Sequence, residues 1–267
     1  MTTLQVSSMR TVAFLDILGF RQAVLTTPLS KLADKYERHI AQADAMNSLI
    51  GSESSLFPGH PPNVPWCQRY IFSDSIILVS VDDQATSALK LLIYAWRLNQ
   101  VFIAFKMPLR GGIAFGEIYT NPLKNICLGR ALTTAYDFER NQAWIGTAIH
   151  PSVVNQFPQI LSPENPNSGL LDDIFLKYPV PMKDNTTQQL KTLNWRFNLI
   201  VENGTRSLFA SEGSVDIMQK VTNTLKYAET IVRSGRIYAA DPSKLPSELQ
   251  AMWVGDKEPP FPHGDDL

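Results

Sequence analysis

Phe14-Leu-Asp-Ile-Leu-Gly-Phe20 and Phe72-Ser-Asp-Ser-Ile-Ile-Leu-Val79 are the two stretches on which the fold of this chain turns. Each places one carboxylate beside an apolar run long enough for a buried strand. Thr11 to Leu15 is rich in β-branched and aromatic residues and reads as a strand ending at Asp16. Gln68 to Phe72 and Ile76 to Val81 read as two strands joined by Ser73-Asp74-Ser75, a hairpin with a carboxylate at its tip. A half-buried Asp is costly unless a positive group compensates it. Two such residues brought together by one sheet can share divalent cations, an arrangement that suits phosphoryl chemistry on a nucleoside triphosphate.

Working outward, Gly19 permits a close approach of backbone before a helix. Leu32 to Ile50 carries apolar residues at Leu32, Tyr36, Ile40, Ala43, Met46 and Ile50, the spacing of an amphipathic helix. Gly51 to Pro65 holds four prolines and two glycines and is expected to be an irregular connection. Asp82-Asp83 precedes a helix over Ala85 to Phe105, with acidic residues where the macrodipole favours them. Leu109 to Phe115 and Glu117 to Tyr119 read as a strand or strand pair, and Gly129 to Arg140 as a helix. The order strand, helix, hairpin, helix, strand predicts an α+β fold: a ferredoxin-like βαββαβ core with helices on one face. Val180 to Lys183 and Leu193 to Ile200 suggest further strands, Val215 to Val232 a closing helix, and Gly255 to Leu267 a mobile tail. A single elaborated domain over 1–267 is expected, with core motifs in 10–145, an extension in 146–254 and the tail in 255–267.

Composition narrows the function. The 267 residues are 44% apolar, enough for a sizeable core, and the formal net charge is −1. Without a basic excess or a long Lys/Arg run, a nucleic-acid binder held by phosphate contacts is not expected. Cys67 and Cys127 offer neither a disulfide framework nor metal-ligand spacing, and His39, His60, His150 and His263 are scattered. No apolar stretch approaches the ~20 residues of a membrane span. The N-terminus lacks the pattern of a signal peptide, because Asp16 interrupts its apolar segment. The expectation is a soluble cytoplasmic protein.

Four segments in order resemble the class III nucleotidyl cyclases. Phe14, Asp16, Ile17, Gly19 and Phe20 match the first strand of that family, and Ser73-Asp74 its hairpin tip. Arg110, Gly112, Ile113, Gly116 and Glu117 match the next strand, and Gly129 to Phe138-Glu139 approximate its following helix. The resemblance implies attack of a ribose 3′-hydroxyl on the α-phosphate of the same triphosphate, with pyrophosphate leaving. By carry-over, Asp16 and Asp74 would hold two Mg²⁺ or Mn²⁺ ions, with the Ile17 carbonyl as a further ligand. Backbone N–H groups of Ile17, Leu18, Gly19 and Phe20 would cradle the phosphates. Arg110 would clamp the triphosphate with its planar fork.

The purine-reading positions of that family differ here. The residue four before the hairpin Asp, Lys or Glu in purine cyclases, is Tyr70, and the second selector position is Ile126, beside Cys127. The family's transition-state Asn falls on Thr133 and its Arg on Asp137. Arg69, Arg130, Arg140 and Lys183 are candidates for the missing positive charge. Arg69 to Ser75, Leu109 to Gly112, Gly129 to Leu132, Ala135-Tyr136, Pro179 to Lys183 and Leu193 to Trp195 look like the pyrimidine cyclases of the bacterial Pycsar anti-phage system. That resemblance implies a homodimer with shared sites that converts UTP to cyclic UMP, with CTP to cyclic CMP as the alternative. The partner subunit's Tyr70 would face the base, and a separate effector protein would read the product. Two rivals remain. A non-catalytic nucleotide sensor is suggested by Thr133 and Asp137. A phosphatase of the haloacid-dehalogenase type is disfavoured, because Ile17-Leu18 follow Asp16 where that family has a second Asp.

Overall fold

A computed structural model describes residues 7–53, 57, 64–105, 107–161, 171–172, 174–195 and 215–234. The first strand, β1, runs Ser8–Ile17 and is followed by helices α1, Phe20–Thr26, and α2, Leu29–Glu53. The hairpin comprises β2, Cys67–Phe72, and β3, Ser75–Ser80. Helix α3, Ala85–Ala104, leads into β4, Leu109–Asn121, a single 13-residue strand where the sequence left one strand or two. These four strands lie in the order β2-β3-β1-β4 with every neighbouring pair antiparallel. That order, with helices between β1 and β2 and between β3 and β4, is the predicted ferredoxin-like βαββαβ core, and the molecule is α+β.

The sheet continues past β4. After the short β5, Ile126–Leu128, and helix α4, Arg130–Arg140, strand β6, Thr147–Ile149, pairs parallel with β4. A short helix α5, Pro151–Gln156, follows. Strands β7, Phe175–Pro181, and β8, Thr187–Leu193, then extend the sheet in the order β4-β6-β8-β7, and β5 pairs back on β4. Helix α6, Val215–Ser234, covers this extension.

Alternation along β1 sorts its side chains to two faces. Ala13, Leu15 and Ile17 join α2 and α3 in the main core, with Ile40, Leu91 and Trp96. Val12 packs on the other face with Tyr70, Val79, Ile118 and Ala131 of α4. The helices therefore flank the sheet on both sides, which corrects the one-face expectation. Gly112 permits this packing: a Cβ there would meet the Ala135 carbonyl oxygen at 2.3 Å and the Glu139 nitrogen at 3.0 Å, so α4 rests directly on the backbone of β4.

A second core lies under α6, where Trp144, Tyr178, Trp195 and Tyr227 gather. Burying each such ring contributes roughly 1.5–3 kcal/mol. Polar contacts fix the register of α6: Ile145 N–H donates to Thr224 Oγ1 at 2.8 Å, Asn223 Nδ2 to the Ala143 carbonyl at 2.7 Å, and Tyr227 OH to the Leu193 carbonyl at 2.9 Å.

Three boundaries move. Helix α2 continues through Gly51 to Glu53, where the proline-rich connection was expected to begin; the prolines come only from residue 58 onward. The strand expected over Leu193 to Ile200 instead ends at Leu193, because the pairing partners of β8 on β7 run from Phe175 to Pro181. Residues 196–200 lie outside the described residues. The strand expected from Val180 to Lys183 starts earlier, at Phe175, and stops at Pro181, with Met182 bridging Gln142. The tail at 255–267 also lies outside the described residues.

Candidate active site

Sheet register assembles the site. Asp16, next to the last residue of β1, stands between Ser75 on β3 and Arg110 on β4. Asp74 adjoins Ser75 in the hairpin turn, and its carbonyl accepts from Ile17 N–H at 3.0 Å. The two aspartates thus sit diagonally across adjacent strands at one end of the sheet. Ser73 occupies the left-handed region at φ 56°, as does Gly19 at φ 79°. Gly19 is the residue before α1, where a β-branched side chain would be strained.

Arg110 is the hub. Its Nη2 lies 2.6 Å from Asp16 Oδ2 and 3.0 Å from Glu139 Oε1. The Arg110 and Asp16 side chains are 17% and 19% exposed, whereas Glu139 on α4 is 2% exposed. Only the Asp16 contact has hydrogen-bonding geometry; Glu139 Oε1 is held by charge. Burial pushes the Glu139 carboxyl above the ordinary carboxylate range. Arg110, Lys183 and Lys220 pull it back down, while Asp16 adds to the rise.

Of the candidate cations, Lys183 is the one whose charge acts on Glu139. Its N–H donates to the Asn141 carbonyl at 2.8 Å, tying the β7–β8 turn to the end of α4. The other candidates make different contacts. Arg69 bonds Asp44 of α2 at 2.9 and 3.2 Å and also Tyr94 of α3, on the opposite face. Arg140 contacts Tyr136 at 3.2 Å, and Arg130 is exposed at the start of α4.

The phosphate cradle needs a correction. Ile17 N–H is taken by Asp74 and Leu18 N–H donates to the Pro108 carbonyl at 2.9 Å, so neither is open to a ligand. Of the four N–H groups expected to hold phosphate, those of Gly19 and Phe20 remain as candidates, since Ala23 N–H is the first of α1 to bond back, to the Gly19 carbonyl at 3.1 Å. Thr133 is exposed on α4, its Oγ1 3.3 Å from the Gly129 carbonyl, and Asp137 is exposed one turn on. Tyr70 does not meet Asp16 within the chain. It pairs with Ile77, two strand spacings and two residues away, roughly 12 Å by strand geometry. There it is 9% exposed, among Val12, Val79, Ile118 and Cys127.

The sequence shows Glu139 only as an acid at a helix end, while Gly112 is the local signal that α4 and β4 touch. Tyr36 on α2 has a buried hydroxyl, and burial, reinforced by Asp74, raises its ionisation well above the ordinary range. Its ring stands edge-on to Phe20 and Phe102, with centroids 6.1 and 5.7 Å away. The helical spacing marked Tyr36 as core, and its ring does pack there.

The donor set suits a hard divalent cation: two carboxylates at one sheet end and the Ile17 carbonyl beside them, all oxygen. Among the described residues no three His, Cys, Asp or Glu side chains converge as a metal site.

No protein-family model matches the chain. A search of curated proteins finds no match. Among solved structures, the chain is similar to the catalytic core of a rhodopsin-guanylyl cyclase with converted specificity in complex with ATPalphaS, at 15% identity and TM-score 0.47, over 70% of this chain and 96% of that one. It is also similar to the guanylate cyclase domain of RhGC from Catenaria anguillulae in complex with GTP, at 14% identity and TM-score 0.45, over 71% and 97%. The adenylyl cyclase CyaB from P. aeruginosa matches at 12% identity and TM-score 0.46, over 73% and 98%. Likeness at this level leaves the chemistry to this chain's own residues. No helix among the described residues is long and apolar enough to cross a membrane.

Proposed function

We propose that this protein is a nucleotidyl cyclase acting on a pyrimidine triphosphate, with UTP converted to 3′,5′-cyclic UMP and pyrophosphate. The observation that carries the reading is the register that sets Asp16 between Ser75 and Arg110, with Asp74 at the adjoining turn. In the reaction the 3′-oxygen bonds to the α-phosphorus, the bond from that phosphorus to the pyrophosphate oxygen breaks, and the hydroxyl proton leaves to solvent. Asp16 and Asp74 would hold Mn²⁺ or Mg²⁺, which when bound acidifies the 3′-hydroxyl and neutralises phosphate charge. Arg110, released from Asp16, would present its fork to the triphosphate, with Lys183 nearby as a second cation. The first turn after Gly19 supplies open N–H groups from Gly19 and Phe20.

The pyrimidine assignment rests on Tyr70 and Ile126 standing where purine cyclases carry base-reading polar residues. Tyr70 lies away from Asp16 in its own chain, which fits a homodimer in which the partner subunit's Tyr70 faces the base. CTP is the nearest competitor substrate. In this reading the product is a second messenger for antiviral defence, and a separate effector binds it. One observation favours a second reading, nucleotide binding without turnover: Thr133 and Asp137 supply no positive charge to the developing transition state.

The test is purified protein with Mn²⁺ and each of the four ribonucleoside triphosphates, products resolved by chromatography and mass spectrometry. Cyclic UMP from UTP alone supports the proposal, and cyclic CMP alone moves the base assignment to cytosine. A triphosphate that binds and is returned intact favours the sensor.

A further inference from the structure

Arg110 stands between two carboxylates of unequal accessibility. Asp16 is its partner at 2.6 Å and is partly open to solvent, while Glu139 at 3.0 Å is 2% exposed. If Asp16 takes a divalent cation, its hold on Arg110 weakens, since the two positive charges then draw on one carboxylate and repel each other. A guanidinium losing its sole partner would either hold Asp16 against the metal or lose its position. Glu139 removes that conflict. The helix that carries it is fixed by the contact of α4 with the backbone at Gly112, where even a methyl group would strike the Ala135 carbonyl and the Glu139 nitrogen. Solvent cannot screen it, and a rotamer change cannot easily carry it away.

We propose that Glu139 is a positioning residue: a buried second counter-charge that retains Arg110 when Asp16 turns to a divalent cation. It touches neither metal nor nucleotide and acts through Arg110. This rests on the reading of Asp16 as a cation ligand, and it adds a requirement that the ligand pair alone does not make. Glu139→Gln keeps the shape of the side chain and deletes its charge, so Arg110 bears wholly on Asp16 and opposes the cation.

The experiment measures Mn²⁺ affinity of the nucleotide-free protein by electron paramagnetic resonance, with circular dichroism as the check on folding. Wild type, D16N, E139Q, R110Q and R110Q/E139Q are compared. Mn²⁺ binding that D16N abolishes and that E139Q weakens five- to tenfold is expected. In the R110Q background, where the residue through which Glu139 acts is gone, E139Q should change affinity less than twofold. A merely structural role would not depend on Arg110 in this way. Wild-type-like affinity in folded E139Q overturns the proposal while leaving the metal site intact. Binding that survives D16N overturns the reading of Asp16, and this proposal with it. Should E139Q not fold, the comparison of R110Q with R110Q/E139Q decides: a difference above twofold shows an effect that bypasses Arg110 and overturns the proposal.

Discussion

Two arginines on the same sheet meet carboxylates on opposite faces, and the contrast separates a staple from a site. Arg69 on β2 bonds Asp44 of α2, and the pair is 30% and 48% exposed. Tyr94 of α3 caps it, so the cluster joins two helices to the edge of the sheet. Arg110 on β4 is shared by Asp16 and the buried Glu139. The first cluster has one arginine for one carboxylate, in water. The second has two carboxylates for one arginine, largely out of water, at the strand end where the hairpin turn brings Asp74. An exposed balanced pair contributes little and invites no ligand. A half-buried cluster in which two carboxylates share one arginine, with a third carboxylate at the adjoining turn, is the candidate site.

The largest effect expected from breaking this contrast is on turnover. Asp16→Ala and Asp74→Ala should each lower cyclase activity roughly a thousandfold or more, since each removes a proposed metal ligand. Asp44→Ala should leave activity near wild type. Steady-state assays with Mn²⁺, backed by thermal melts showing folded protein, make the comparison; near-normal turnover in D16A would sink the two-metal assignment. Next comes stability. Arg110→Ala leaves the Glu139 carboxylate buried without its nearest partner and should cost about 3 kcal/mol in urea unfolding. Arg69→Ala should cost about 1 kcal/mol or less, and that small loss should shrink further in high salt, as screening predicts. Equal costs for the two arginines would erase the distinction.

Between these lies a pH effect from the α2 face. His39 is 1% exposed and stacks on Phe105 with ring centroids 4.4 Å apart. Burial, with Lys35 and Arg38 adding to it, lowers its imidazole to about 3. The folded state therefore binds its proton later than the unfolded chain, whose histidine titrates near 6.5. The resulting stability is fully present above about pH 6.5 and is lost as pH falls toward 3. Between pH 7 and 4.5 wild type should lose about 2 kcal/mol more than His39→Gln in paired urea titrations. Parallel losses in the two proteins would show that another group governs acid sensitivity.

Much of the core was legible in the residues themselves. Strand β1, the hairpin and helices α3 and α4 lie within a few residues of where apolar period, turn chemistry and acidic helix starts put them. The extension was less so. Strand β6 has three residues, too few to show a period, and it is recognisable only because β4 offers it a partner. Strand β8, Thr-Gln-Gln-Leu-Lys-Thr-Leu, is polar at its start and owes its place to β7. At the site, Asp16 and Asp74 stand out because a carboxylate beside an apolar run is conspicuous, and Arg110 through the resemblance to the cyclase motif. Glu139 and Tyr36 do not, because an acid at a helix end and an aromatic on an apolar stripe are ordinary.

The residues alone determined which segments could be strands and helices, since periodicity, glycine placement and turn chemistry act over a few neighbours. They also determined that a carboxylate would end β1 and another would cap the hairpin. Tertiary structure decided that α4 lies on the opposite face from α2 and α3. It decided as well that Arg110 answers to both Asp16 and Glu139, and that Lys183, 73 positions further along the chain, is tied by its backbone to the end of α4. Ion pairs between distant residues depend on sheet register and helix docking, and no local pattern in the chain encodes the few ångströms on which a Coulomb interaction turns.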